Sequence, residues 1–67
     1  MLTPRETEIA GLLAAGSTDK EIGGKLGISE HTVNSHLRRL FAKLRVNNRV
    51  GAAVAYVTRI SGTRTGE

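Results

Sequence analysis

Sixty-seven residues without a cysteine allow one small domain, which excludes a doubly wound sheet, a barrel, a disulfide framework and a thiolate metal site. A composition 39% apolar, 24% charged and only 3% aromatic (Phe41 and Tyr56) fits a globular fold and excludes an aromatic platform for single-stranded bases. The net charge of +4 is unevenly placed: residues 1–30 hold three basic against five acidic side chains, a net −2, and residues 31–67 hold seven against one, a net +6, which suits one face to a polyanion.

Thr3, Pro4 and Glu6 form a capping box with proline at the first helical position, predicting a helix over 4–15 with Ile9, Leu12 and Leu13 inward and Gly16 as its stop. Thr18 and Glu21 repeat the box for a short helix over 19–26, with Ile22 and Leu26 on one face and Gly27 at the end. Gly23 and Gly24 lie inside it. Each costs about 1 kcal/mol relative to alanine, a cost more readily accepted where another helix passes very close, and Gly23 is expected where the third helix crosses the second.

Ser29 caps a third helix over 30–44. Val33, Leu37, Leu40 and Leu44 make its apolar stripe, with Phe41 at the edge. At 100° per residue His31, Ser35, Arg38 and Arg39 fall on the opposite side, with Asn34 at its margin. Asn47 or Asn48 caps a fourth helix over 49–60. Val50, Ala53, Val54, Val57 and Ile60 are expected inward, leaving Ala52, Ala55, Tyr56 and Arg59 outward as a small apolar face suited to pairing two copies. Residues 61–67 show no periodicity and are expected as a flexible tail to a domain spanning 1–60. The absence of any strand pattern makes the fold class all-α.

The Gly27-Ile28-Ser29 connection between two short helices gives a helix-turn-helix, with Ile22, Leu26, Ile28 and Val33 pointing into the joint. In that motif the second helix enters the major groove of double-stranded DNA, N-terminal half first. Asn34, Ser35 and Arg38 are there to read bases. Asparagine pairs bidentately with adenine and arginine with guanine, whereas a serine specifies weakly. Lys20, Ser29, Thr32, Arg39, Lys43 and Arg49 are the expected phosphate contacts. His31 stands beside the DNA, and His36, near the apolar stripe, is expected packed or on a phosphate.

Three segments, LTPRETEI, GSTDKEIGGKLGISEHTVNSHL and FAKLRVNNRVGAAV, occur in order, and together they resemble the LuxR/NarL-type (GerE-like) DNA-binding domain of bacterial transcription regulators over residues 2 to 57. The resemblance implies four helices, the middle pair forming the helix-turn-helix, and a homodimer on DNA through the fourth. It implies base-reading positions at Asn34, Ser35 and Arg38. It implies that Thr32, Lys43 and Arg49 contact the backbone or hold local structure, and that Glu6 pairs with a basic group of the packed core. RNA polymerase is a further implied partner. So is an upstream receiver or sensor domain, and of the two readings, a stand-alone regulator or a fragment of a longer one, the fragment is favoured. Three departures stand out: Asn34 where lysine is usual, Gly23 where alanine is usual, and Arg45-Val46 where Gly-Val is common. The last removes the usual glycine stop of the third helix.

A sigma-factor-like promoter-binding domain shares the first two segments, but the fourth helix beginning NNRVGAAV favours the regulator. A protein-interaction module that docks an acidic partner on the basic helix is the reading from another class. No nucleophile–base or metal constellation occurs, so neither an enzyme nor a cofactor is expected. No apolar run nears the roughly 18–20 residues of a bilayer span, and no signal peptide starts at Met1. A cytoplasmic protein without a membrane partner is therefore expected.

Overall fold

The computed structural model describes residues 2–61, and side chains as far as Thr58. They form four helices and, among the described residues, no strand: α1 (Pro4–Ala14), α2 (Asp19–Leu26), α3 (Glu30–Leu44) and α4 (Arg49–Ser61). The expected tail lies outside the described residues except for Ser61, which ends α4.

Local chemistry sets each boundary. Thr3 Oγ1 accepts from the Glu6 N–H (3.1 Å) while Glu6 Oε1 accepts from the Thr3 N–H (2.8 Å). Thr18 and Glu21 reproduce both bonds at the same distances. Each box satisfies donors that the first turn of a helix leaves unpaired. Ser29 caps α3 by accepting from the Thr32 N–H (3.1 Å), and Asn48 Oδ1 caps α4 by accepting from the Gly51 N–H (2.7 Å). Gly16 (φ 93°) and Gly27 (φ 70°) end α1 and α2 in the left-handed region. At the first of these, Ser17 N–H reaches Leu12 O and Gly16 N–H reaches Leu13 O, both at 3.0 Å, pairing carbonyls the helix end would leave open.

The end of α3 departs from that pattern. Arg45 takes the left-handed conformation (φ 59°, ψ 44°), the sole non-glycine with positive φ among the described residues. Val46 N–H then donates to Phe41 O (3.0 Å). The helix stop therefore exists without its glycine, and an L-residue there carries a strain of about 1–2 kcal/mol.

Ile9, Ala10 and Leu13 of α1, Ile22 of α2, Val33, Leu37 and Leu40 of α3, and Ala52 of α4 form the buried core. Leu12, Leu26, Ile28, Phe41 and Leu44 pack at its edge. α1 is the central element, lying mainly on α4 and α3, while α2 lies mainly on α3.

Gly23 belongs to the turn rather than to a helix crossing. A Cβ built there would stand 2.6 Å from the Ile28 carbonyl oxygen, with Ser29 and Glu30 backbone next, and the Ile28 N–H donates to Gly23 O (2.9 Å). The joint of the helix-turn-helix is thus closed backbone against backbone. Gly24 faces open space, so no close approach explains it.

The faces of α4 correct the expectation from sequence. Ala52 is fully buried and Tyr56 packs on the core, whereas Val50, Val54 and Val57 are 73%, 58% and 50% exposed. Ala52 therefore does not face outward, and Tyr56 is half-buried against the core. Ala55 is half-buried, and the side chains of Arg59 and Ile60 lie outside the described residues. Hydrophobicity did not distinguish two faces that are both apolar; close packing did. A helix lying tightly on α1 needs small residues at the contact, and Ala52 and Gly11, whose missing Cβ would sit 3.4 Å from the Tyr56 hydroxyl, provide them.

Candidate nucleic-acid interface

The leucine stripe holds one side of α3 in the core, and the 3.6-residue period turns the opposite side outward. His31, Asn34, Ser35, Arg38, Ala42 and Arg45 are all exposed along that side, with Arg39 exposed beside them. Ser35 Oγ donates to its own helix at His31 O (3.3 Å) and keeps its lone pairs outward. The side chains of Asn34, Arg38 and Arg39 make no hydrogen bond or ion pair with any described residue, so their polar ends remain available to a ligand.

The six phosphate candidates divide. Lys20, at the start of α2, and Arg39 are exposed and unpartnered among the described residues. Ser29 and Thr32 are exposed and share a hydrogen bond between their hydroxyls (3.0 Å) at the N-terminus of α3. Lys43 and Arg49 are engaged internally. Lys43 Nζ lies 2.8 Å from the buried Glu6 Oε1. Arg49 Nη1 donates to Asp19 Oδ1 (2.7 Å) and Nη2 to the carbonyl of buried Ser17 (2.8 Å). Both tie one end of the helix-turn-helix to its support: Lys43 joins the last turn of α3 to the first of α1, and Arg49 joins the start of α4 to the start of α2.

The Lys43 ammonium, and after it the Thr3 backbone N–H, hold the Glu6 carboxyl below the usual carboxylate range, outweighing burial, which acts in the opposite direction. Glu6 therefore serves as a charged structural acceptor, joining cap and core. His36 is half-buried beside the stripe. Among the described residues no group of His, Asp or Glu side chains is placed to hold a metal ion, and no helix is long and apolar enough to cross a membrane.

Sequence reasoning anticipated that Glu6 meets a basic core residue, without naming Lys43. It missed Asp19 and the Ser17 carbonyl as partners of Arg49, a pairing across 30 residues for which no local pattern exists. Arg45 had a visible signal, a non-glycine at a glycine stop, but not its consequence.

The family model for bacterial regulatory proteins of the luxR family (GerE) matches residues 1–56. Similar curated proteins include the transcriptional regulatory protein LiaR of Bacillus subtilis, 49% identical over 53 residues, which are 79% of this chain and 25% of LiaR. The nitrate/nitrite response regulator protein NarP of Escherichia coli is 42% identical over 57 residues, 85% of this chain and 26% of NarP. Its counterpart NarL is 43% identical over 53 residues, 79% of this chain and 24% of NarL. The chain thus spans about a quarter of the length of these relatives. No solved structure matches it. With four helices, a glycine-closed helix-turn-helix and a family match over nearly its whole length, the chain belongs to the luxR family of bacterial regulatory proteins, whose helix-turn-helix domains bind DNA in the regulation of transcription.

Proposed function

We propose that this domain binds double-stranded DNA sequence-specifically to regulate transcription, with α3 seated in the major groove. The observation that carries this reading is the outer side of α3, where Asn34, Ser35 and Arg38 stand exposed together and no acidic residue follows Glu30 in the helix. The groove, about 12 Å wide, accepts one such helix. Asn34 and Arg38 offer the bidentate geometry that adenine and guanine edges require, and Ser35 adds an adaptable hydroxyl. Lys20, Arg39, Ser29 and Thr32 hold phosphates. Lys43 and Arg49, tied to the support of the helix-turn-helix, stand beside them as further phosphate contacts.

Two copies pair through the outward side of α4. Supporting this are the exposed Val50, Val54 and Val57 and the open groove of about 250 Å³ lined by Ala53, Val54, Val57 and Thr58. Such a pair presents two α3 helices to two half-sites. RNA polymerase, and a receiver or sensor domain like those of longer regulators, complete the proposed partners.

The test is an electrophoretic titration with duplex DNA at rising salt. Neutralising about six phosphates gives a log–log slope of affinity against salt near −5. A flat response, or no duplex binding at low salt, would instead favour an acidic protein docked on α3.

A further inference from the structure

We propose that Arg45 is an additional phosphate contact, kept at the end of α3 in spite of the backbone strain it imposes. The proposal rests on the DNA-binding reading above. Its ground is a conflict between two levels of the structure. The helix stop requires a left-handed residue, and Arg45 supplies it at φ 59°, where glycine would sit without strain. Glycine would close the same turn, since the Arg45 and Val46 N–H bonds to Ala42 O and Phe41 O are made by backbone alone. The arginine side chain adds nothing to the fold. It is exposed, and no hydrogen bond or ion pair engages it among the described residues. What it supplies is a cation at a fixed place.

That place continues the outer line of α3. Arg38 and Ala42 are exposed one turn apart on that side, and Arg45, also exposed, follows immediately past the helix end. At 1.5 Å per residue Arg45 stands roughly 10 Å beyond Arg38 and roughly 16 Å beyond Asn34 along the axis. With Asn34 on base edges inside a groove about 12 Å wide, a group that far along reaches the rim, where the phosphates lie. The only acidic residue after Glu30 in the sequence is Glu67, and the Glu6 carboxylate that reaches the last turn of α3 is engaged by Lys43.

Three substitutions separate strain from charge. Arg45→Gly removes both: its midpoint of thermal unfolding should rise by several degrees while duplex affinity falls about fivefold, the order of one exposed charge pair. The magnitude of its salt slope should drop by about 0.9. Arg45→Gln keeps the strain and should lose the same affinity with no thermal gain, and Arg45→Lys should bind as the unsubstituted chain does. Because Arg45→Gly stabilises the domain, weakened binding could not come from unfolding. Glycine and glutamine variants that both keep the affinity and salt slope of the unsubstituted chain would overturn the role of Arg45 alone. Failure of the unsubstituted chain to bind duplex at low salt would end the DNA reading and this contact with it.

Discussion

Gly23 and Gly24 are neighbours in one helix with opposite surroundings. At Gly24 a methyl group meets nothing within 4 Å, so alanine there should bring only its helix preference, a gain of about 0.5–1 kcal/mol. At Gly23 the same methyl would stand 2.6 Å from the Ile28 carbonyl, a backbone atom that moves only if the turn moves. Overpacking of that kind costs about 1–3 kcal/mol, so Gly23→Ala should be destabilising despite the same helix preference. Urea unfolding of the two variants checks this; equal gains would show that the turn carbonyl yields freely. The pair of glycines was visible in the sequence as a soft spot. Gly23 was singled out there for a helix crossing, whereas the requirement comes from a carbonyl five residues away that only the closed turn brings into contact.

At the scale of elements, the capping boxes and glycine stops were legible because they are local: donor and acceptor lie three residues apart, and the helix bounds follow from them. The ties between elements were less so, since Glu6–Lys43 spans 37 residues and Arg49–Asp19 spans 30. The first of these has a pH signature. The Glu6 carboxyl titrates below its ordinary value of 4.5 in the folded chain, because the Lys43 ammonium and the Thr3 N–H favour the anion. Above about 4.5 the group is ionised in both states and its contribution is fully present. As pH falls through the lower folded value the unfolded chain has already taken its proton, and the contribution is lost. Acidification from about pH 6 to about pH 3 should therefore lower the urea midpoint of the unsubstituted domain more than that of Glu6→Gln. Parallel curves for the two would mean that the α1–α3 tie carries no linked proton.

For the whole molecule, the decisive feature is how α4 is rotated on α1. Sequence periodicity located the helix but assigned its faces the wrong way, because branched residues on one side and alanines with a tyrosine on the other are both apolar. The valines are left outward because the α1 surface admits small side chains at the closest contact. This reverses what a charge should do on each face. Val54→Glu puts a carboxylate on a residue 58% exposed and should change stability by no more than about 0.5 kcal/mol. It should nevertheless weaken binding to a duplex carrying two half-sites, while leaving binding to a single half-site unchanged apart from a small non-specific repulsion. Tyr56→Glu, by contrast, sets a carboxylate against Gly11 and the core edge and should destabilise the domain by about 2–3 kcal/mol, on one half-site or two. Thermal unfolding of both variants and gel titration on the two duplexes separate the outcomes. If Val54→Glu bound both duplexes as the unsubstituted chain does, the valine face would have no part in pairing copies on DNA, and the exposed side of α3 would have to find its half-sites one copy at a time.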